Sequence, residues 1–356
     1  MRMIRHNVFT EVLAVVAADG NSLDTAAIAR AAELLRAGKL VAFPTETVYG
    51  LGANALDAGA VARIFEAKGR PANNPVIVHA ADIDAARAIV TAWPEAADKL
   101  AQAFWPGPLT LVLPKRDRVP DIVAAGGSTV GVRVPANPVA LALIREAGVP
   151  VAAPSANRSM QVSPTTAIHV LASLSGRIEM ILDGGPTTGG IESTVISLAG
   201  DSPRLLRPGL ITPKQIEAII GPIDRPGAEP GAANRQSVTP DAALPLPAPG
   251  MLARHYAPRA PLEIASDGEP RVRQFLAEGK TVGWLALSAI EPGLAAETRL
   301  VRERMPDLPA EYASRLYAAL HALDESGVAV IIVDALPDDD EWLALRDRLN
   351  RASAQE

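Results

Sequence analysis

Four cations stand where a chain of this kind would meet an anion. Lys68 and Arg70 lie two residues apart in a loop closed by Pro71, Arg133 sits inside an apolar stretch, and Arg207 precedes Pro208-Gly209. A guanidinium fork matches a carboxylate or a phosphate, and an ammonium acts as a point charge. Together they suit a polyanion such as a nucleoside triphosphate. Singly, each also fits a surface charge or a structural ion pair. Arg133 is the exception, because Val132 and Val134 imply a buried sheet where an unpaired charge is costly. Hydroxyls and amides accompany the cations at Thr45, Thr47, Ser155, Asn157, Ser193 and Thr194, beside short apolar runs. Such groups bind small polar ligands or cap turns. His79 ends an apolar run, which by itself fits a structural histidine.

What is missing narrows the chemistry. There is no cysteine, hence no thiolate nucleophile, disulfide or Cys-type zinc site. No Gly-x-x-x-x-Gly-Lys-Ser/Thr, Gly-x-Ser-x-Gly or His-Glu-x-x-His motif occurs, and the five histidines are scattered. The net charge of −6 argues against a strongly basic nucleic-acid binder. No apolar run reaches the roughly 18 residues of a membrane span. Met1–Gly20 resembles a signal peptide weakly, but Glu11 breaks its apolar stretch, so a strand or helix of a cytoplasmic protein is expected there.

The elements that must carry these groups follow from periodicity and caps. One stretch is central: the apolar run 39–43 leads into Pro44-Thr45-Glu46-Thr47, and Tyr49, Gly50 and Gly52 then read as a turn. A helix starts at the N-cap Asp24, places Ile28, Ala31, Ala32 and Leu35 on one face, and stops at Gly38. A second runs from Asp57 to Lys68-Gly69. Further helices are expected at 82–91, 95–104, 138–147 and 164–174, and strands at 75–79, 109–113, 129–134, 149–153, 178–182, 193–198 and 204–206. This alternation makes residues 24–211 one α/β domain with a twisted mixed sheet. Residues 222–258 are proline-rich and read as a linker ending in Arg254-His255-Tyr256-Ala257-Pro258. Strands at 281–287 and 328–333 and helices at 311–324 and 341–351 make 261–356 a small Rossmann-like α/β domain. It has no Gly-x-Gly-x-x-Gly fingerprint.

Taken in order, Phe43-Pro44-Thr45-Glu46-Thr47-Val48-Tyr49-Gly50-Leu51-Gly52, Lys68-Gly69-Arg70-Pro71, Asn74-Pro75, Trp105-Pro106-Gly107-Pro108-Leu109-Thr110, Arg133-Val134-Pro135, Pro154-Ser155-Ala156-Asn157, Glu192-Ser193-Thr194-Val195 and Arg207-Pro208-Gly209 resemble the YrdC-type threonylcarbamoyl-AMP synthases. His255-Tyr256-Ala257-Pro258 and the extra C-terminal domain resemble the longer, two-domain branch, with the linker spanning 212–260. The resemblance implies a twisted, open sheet with a concave cavity. It implies that L-threonine, bicarbonate and ATP, with Mg²⁺, give threonylcarbamoyl-AMP and pyrophosphate, a nucleotidyl transfer. The product would pass to a separate tRNA threonylcarbamoyl-transfer complex, with weak or absent direct tRNA binding.

By the same resemblance Thr45, His79, Arg133, Ala153 and Ser193 surround threonine. Lys68, Arg70, Asn74, Thr129, Ser155, Ser163 and Arg207 contact ATP, with Lys68, Arg70 and Arg133 in catalytic roles and no protein-held metal. Asn157 orients the site, and Tyr256 closes over the nucleotide as a lid. Glu46 is left with two roles, helping Mg²⁺ or pairing with an arginine. The competing reading is a non-catalytic RNA-binding maturation factor. A third, the related module of hydrogenase-maturation carbamoyltransferases, lacks support because no zinc-finger or acylphosphatase-like module accompanies it here.

Overall fold

The structure is a computed structural model that describes residues 8–15, 22–225, 245–287, 294 and 296–354. The expected elements at 1–7 and 16–21, and the linker reading over 226–244, lie outside the described residues.

Local chemistry sets most of the helices. Asp24 accepts from the amides of Ala26 and Ala27 to start α1 (Thr25–Arg36), whose buried face is Ala27, Ile28, Ala31, Ala32 and Leu35. Asp57 caps α2 (Ala58–Lys68), and Gly69 ends it in the left-handed conformation at φ 61°. Asn137, followed by Pro138, opens the helix Pro138–Ala147, and Gly148 closes it. The helix expected at 82–91 is only Ile83–Arg87, because Val90 leaves to bridge Lys115 and Pro94 disfavours a helical Trp93. The one expected at 164–174 begins at Ala167, since Pro164 gives its carbonyl to the Tyr49 amide and Thr166 is the N-cap.

Among the described residues the first unit carries a ten-stranded mixed sheet. Its strands are β1 (Glu11–Ala14), β2 (Val41–Pro44), β3 (Tyr49–Asn54), β4 (Ile77–His79), β5 (Leu109–Pro114), β6 (Thr129–Arg133), β7 (Val151–Ala152), β8 (Met180–Asp183), β9 (Thr194–Ser197) and β10 (Arg204–Arg207). They lie in the order β1-β8-β2-β3-β7-β4-β6-β5-β9-β10. Strands β2, β7, β5 and β9 run one way, and β3, β4, β6 and β10 the other. The central β7 and β4 have only two and three residues. The turn after β2 and the ends of β4, β6 and β10 thus lie around the short β7. The helix Pro213–Ile220 was not expected, although its capping box of Thr212 and Gln215 is legible in the sequence.

One expectation is overturned. Gly50 and Gly52 do not shape a turn. They lie inside β3, which pairs antiparallel with β2, and the chain reverses earlier, through Thr45–Val48. The glycines are there for close approach. A Cβ on Gly52 would come within 2.8 Å of the Phe43 ring and 3.0 Å of Val151. Gly52→Ala is expected to lower stability by about 1–3 kcal/mol through overpacking, read as a shift in the denaturant midpoint.

The second unit is a four-stranded parallel sheet in the order Leu262–Ala265, Val330–Asp334, Val282–Ala286, Leu300–Arg304. Two of these strands, Leu262–Ala265 and Leu300–Arg304, and the helix Gly268–Ala277 were not anticipated. The long helix Pro309–Glu325 and the C-terminal helix Leu343–Ser353 complete it. Its buried Leu316, Leu320 and Leu345 share one apolar cluster with Val48, Val162, Ile191 and Tyr256. The two units are thus packed through a common core beside the turn between β2 and β3.

Candidate active site

A small cavity opens on the sheet beside β7 and β4. Thr45, Thr47, Arg70, His79, Arg133, Ala153, Ser155, Ser193, Arg207 and Tyr256 line it, among others. The turn after β2 supplies the threonines, and the exit of β7 supplies Ala153 and Ser155. Strands β4, β6 and β10 end on His79, Arg133 and Arg207.

Arg133 is 3% exposed, and its contacts fix its plane. Nε donates to the Gly107 carbonyl at 3.1 Å. Nη2 donates to Glu46 Oε1 at 2.6 Å and to Thr47 Oγ1 at 3.1 Å. Glu46 Oε2 accepts from the Ala136 amide at 3.0 Å. Of its two open roles, Glu46 therefore takes the ion pair. The Thr45 hydroxyl donates to the Val48 carbonyl at 2.7 Å and closes the turn. Ser193 Oγ lies 2.8 Å from Thr110 Oγ1 and 3.2 Å from Arg207 Nη2. Arg207 is held further by two bonds to the Ser193 carbonyl.

Arg70 spends Nε and Nη2 on the Asn74 carbonyl, the Asn74 amide oxygen and the Pro75 carbonyl. Asn74 thus stands behind Arg70 rather than on the wall. Lys68 is also behind the wall: its buried ammonium donates to the carbonyls of Ser155 and Asn157, tying α2 to the Ser-Ala-Asn loop. Asn157 locks that loop through the carbonyls of Arg158 and Gln161. Thr129 opens β6 opposite Pro114, away from the cavity lining. Ser163 is buried and donates to Glu192 Oε1 at 2.5 Å.

The electrostatics favour an anion. Burial lowers the pKa of Lys68, Arg70 and Arg207, and neighbouring cations lower each further. Cations crowded into a low dielectric are relieved by a negatively charged ligand. His79 is held down at about 3 by burial and then by Arg133, so it is neutral. Its Nδ1 and the buried Tyr256 hydroxyl have no hydrogen-bond partner among the described residues. Both groups belong to the cavity wall and are available to a ligand. His255 is likewise held near 3, chiefly by burial.

These neutral histidines predict an acid-sensitive fold. Free histidine titrates near 6.5, so between that value and about 3 the unfolded chain binds more protons than the folded one. Stability is then fully present above pH 6.5 and is lost progressively as pH falls toward 3. Urea unfolding followed from pH 8 to 4 is expected to show a midpoint that falls once pH drops below 6.5. A midpoint flat down to pH 4.5 would contradict the neutral assignment.

The donor set does not fit a protein-held metal. Among the described residues no cluster of three His, Asp or Glu side chains could hold one. The two acidic residues nearest the cations, Glu46 and Glu192, are already paired with Arg133 and Arg348. Sequence reasoning missed Glu192 as a functional group, and also its partners Arg348 and Tyr317 from the second unit. The Glu-Ser-Thr motif was a signal for the first; nothing local marked the other two.

Comparison with known proteins places this geometry. Residues 33–209 match the Sua5, YciO and YrdC family model, described as telomere recombination. Residues 211–354 match the model of the threonylcarbamoyl-AMP synthase C-terminal domain. The chain is 47% identical over 331 residues to the threonylcarbamoyl-AMP synthase of Bacillus subtilis, covering 92% of each chain. It is 46% identical over 331 residues to that of Pyrococcus abyssi, covering 91% of this chain and 93% of the relative. The solved structure of P. abyssi Sua5 complexed with L-threonine superposes with a TM-score of 0.84 at 42% identity, over 97% of this chain and 98% of that one.

Proposed function

This chain belongs to the Sua5, YciO and YrdC family, and from that premise we propose that it works as a threonylcarbamoyl-AMP synthase. It joins L-threonine, bicarbonate and ATP into L-threonylcarbamoyladenylate and releases pyrophosphate, which makes it a nucleotidyltransferase. The observation that carries this reading is Arg133. It is buried, oriented on three sides, and left with Nη1 unpaired among the described residues, beside Thr45, Ser193 and the unpartnered His79 Nδ1.

In this reading Arg133 takes the threonine carboxylate, while Thr45, His79, Ala153 and Ser193 enclose the rest of the amino acid. The amine of bound threonine takes up the carbon of bicarbonate to form a carbamate, with loss of water. A carbamate oxygen then attacks the α-phosphorus of ATP. The new P–O bond forms as the bond to the β-phosphate oxygen breaks, and pyrophosphate leaves. No enzyme nucleophile is needed, so the enzyme contributes positioning and charge. Arg70 and Arg207 face the phosphates, Ser155 meets the nucleotide, and Lys68 and Asn157 hold the loop that carries it. Asn74 acts by fixing Arg70. Ser163 and Thr129, as nucleotide contacts, would need local rearrangement to reach the cavity. Mg²⁺ enters with ATP as part of the substrate.

Tyr256 is the lid: at 1% exposure it covers the cavity and keeps water from a labile carbamate. The adenylate then goes to a separate tRNA-modifying activity, in the cytoplasm. The RNA-binding alternative gains nothing from the geometry. Arg70, Arg133 and Arg207 are at most 8% exposed and face inward, so they offer no surface to a strand. The deciding experiment incubates the protein with labelled bicarbonate, L-threonine, ATP and Mg²⁺. Threonine-dependent pyrophosphate release and a labelled adenylate are expected. Release that is unchanged when threonine is omitted would overturn the reading.

A further inference from the structure

The C-terminal helix Leu343–Ser353 belongs to the second unit, yet its Arg348 side chain is fully buried against the first. Nε donates to Glu192 Oε2 at 2.9 Å, and Nη2 to the Pro208 carbonyl at 3.0 Å. Nη1 donates to Asp347 at 2.6 Å. The guanidinium carbon also lies 5.0 Å from the centre of the Tyr256 ring, within cation–π range. Tyr317, from the long helix, donates to the same Glu192 oxygen at 3.0 Å and stacks near Tyr256, 5.8 Å between centroids. One turn on, Arg351 donates to the Leu252 carbonyl at 2.7 Å, and its own carbonyl accepts from the His255 amide at 3.2 Å. Asp347 bridges Arg348 and Arg351.

Apart from the bonds to Asp347, these contacts reach the cavity wall or the segments that carry it. Glu192 precedes Ser193, Pro208 follows Arg207, and Leu252 and His255 carry Tyr256. We propose that Arg348 is a positioning residue of the synthase: it sets the Glu192-Ser193 and Arg207-Pro208 corners and docks Tyr256, so that the second unit holds the cavity closed. The proposal rests on the reading of the cavity given above. An arginine is required because three directional bonds and a ring face leave one planar group in different directions. A lysine could serve one of them. Glu192 is held down near 2 against the upward pressure of burial, by Arg348 first and Arg207 next. The pair is therefore charged, and the removal of one partner alone would strand the other.

The test uses the full chain with two variants, Arg348→Lys and the charge-neutral pair Glu192→Gln with Arg348→Met. Melting temperature, steady-state kinetics and amide exchange are measured together. The amides of His255 and Ala257 are the reporters, since they donate to Arg351 and Met160 and pin the lid segment. Both variants are expected to fold, with exchange at the reporters about tenfold faster or more while the central strands are unchanged. The KM for ATP is expected to rise about tenfold or more, with a smaller effect on the melting temperature than its loss of activity would suggest. Reporter exchange and kinetics like the parent in either variant would overturn the proposal, as would full rescue by lysine. If the neutral pair does not fold, Arg348→Lys decides alone. A parent protein without threonine-dependent turnover would instead sink the functional reading, and the exchange measurement would still decide whether Arg348 docks the lid.

Discussion

Arg133→Ala is expected to weaken threonine binding by about three orders of magnitude while leaving ATP binding nearly intact. The size follows from what is lost. Two charge-assisted bonds to a carboxylate contribute roughly 1.5–3 kcal/mol each, and every 1.4 kcal/mol is about tenfold. The selectivity follows from position. Arg133 is anchored by Gly107, Glu46 and Thr47, whereas Lys68 holds a different loop through Ser155 and Asn157. Removing it also strands the Glu46 carboxylate, which is only 13% exposed, so a modest loss of stability should accompany the effect. Arg133→Ala combined with Glu46→Gln separates the two: stability should recover and threonine affinity should not. Calorimetric titration with L-threonine is the measurement. Unimpaired affinity in the single variant would remove Arg133 from the carboxylate role.

Lys68→Met carries the second large effect, a fall of about a thousandfold in pyrophosphate release with threonine affinity kept within a few-fold. The ammonium does two things. Its charge lies within electrostatic reach of Arg70, with its pKa lowered by burial and then by that neighbour, and it holds the Ser155 and Asn157 carbonyls in place. Methionine matches its bulk and supplies neither. Two buried carbonyls then lose their donor, at about 1–3 kcal/mol each, so the melting temperature should also drop. Saturating ATP cannot restore the rate if the loop is displaced, whereas a pure loss of affinity would be overcome. A variant with normal turnover at saturating ATP would show that Lys68 only supports the fold. The distinction matters because Lys68 lies behind the cavity wall rather than on it.

How much of this was legible beforehand differs from element to element. Asp24 and Asp57 announced their helices because a cap is a contact between residues two or three apart. Gly52 was misread for the converse reason. Glycine after an apolar run looks like a turn, and only the proximity of Phe43 and Val151 shows that it is a strand residue without room for a side chain. The strand Leu300–Arg304 was missed because Arg302, Glu303 and Arg304 make it polar at the edge of a sheet, where half its surface stays solvated.

The cavity divides in the same way. The amino-acid sequence by itself determined the chemical inventory: cations and hydroxyls beside short strands, no thiol, no metal cluster, and motifs in an order that resembles one family. Residue type and short-range spacing are local properties, and they survive without the fold. Tertiary structure alone decided the partnerships. Glu46 finds Arg133 across 87 residues, and Glu192 finds Arg348 across 156. The cavity gathers the turn after β2, the exit of β7 and the ends of β4, β6 and β10, segments far apart in the chain. A charge's role depends on what neutralises it in a low dielectric, and that neighbour is chosen by the packing of the whole chain.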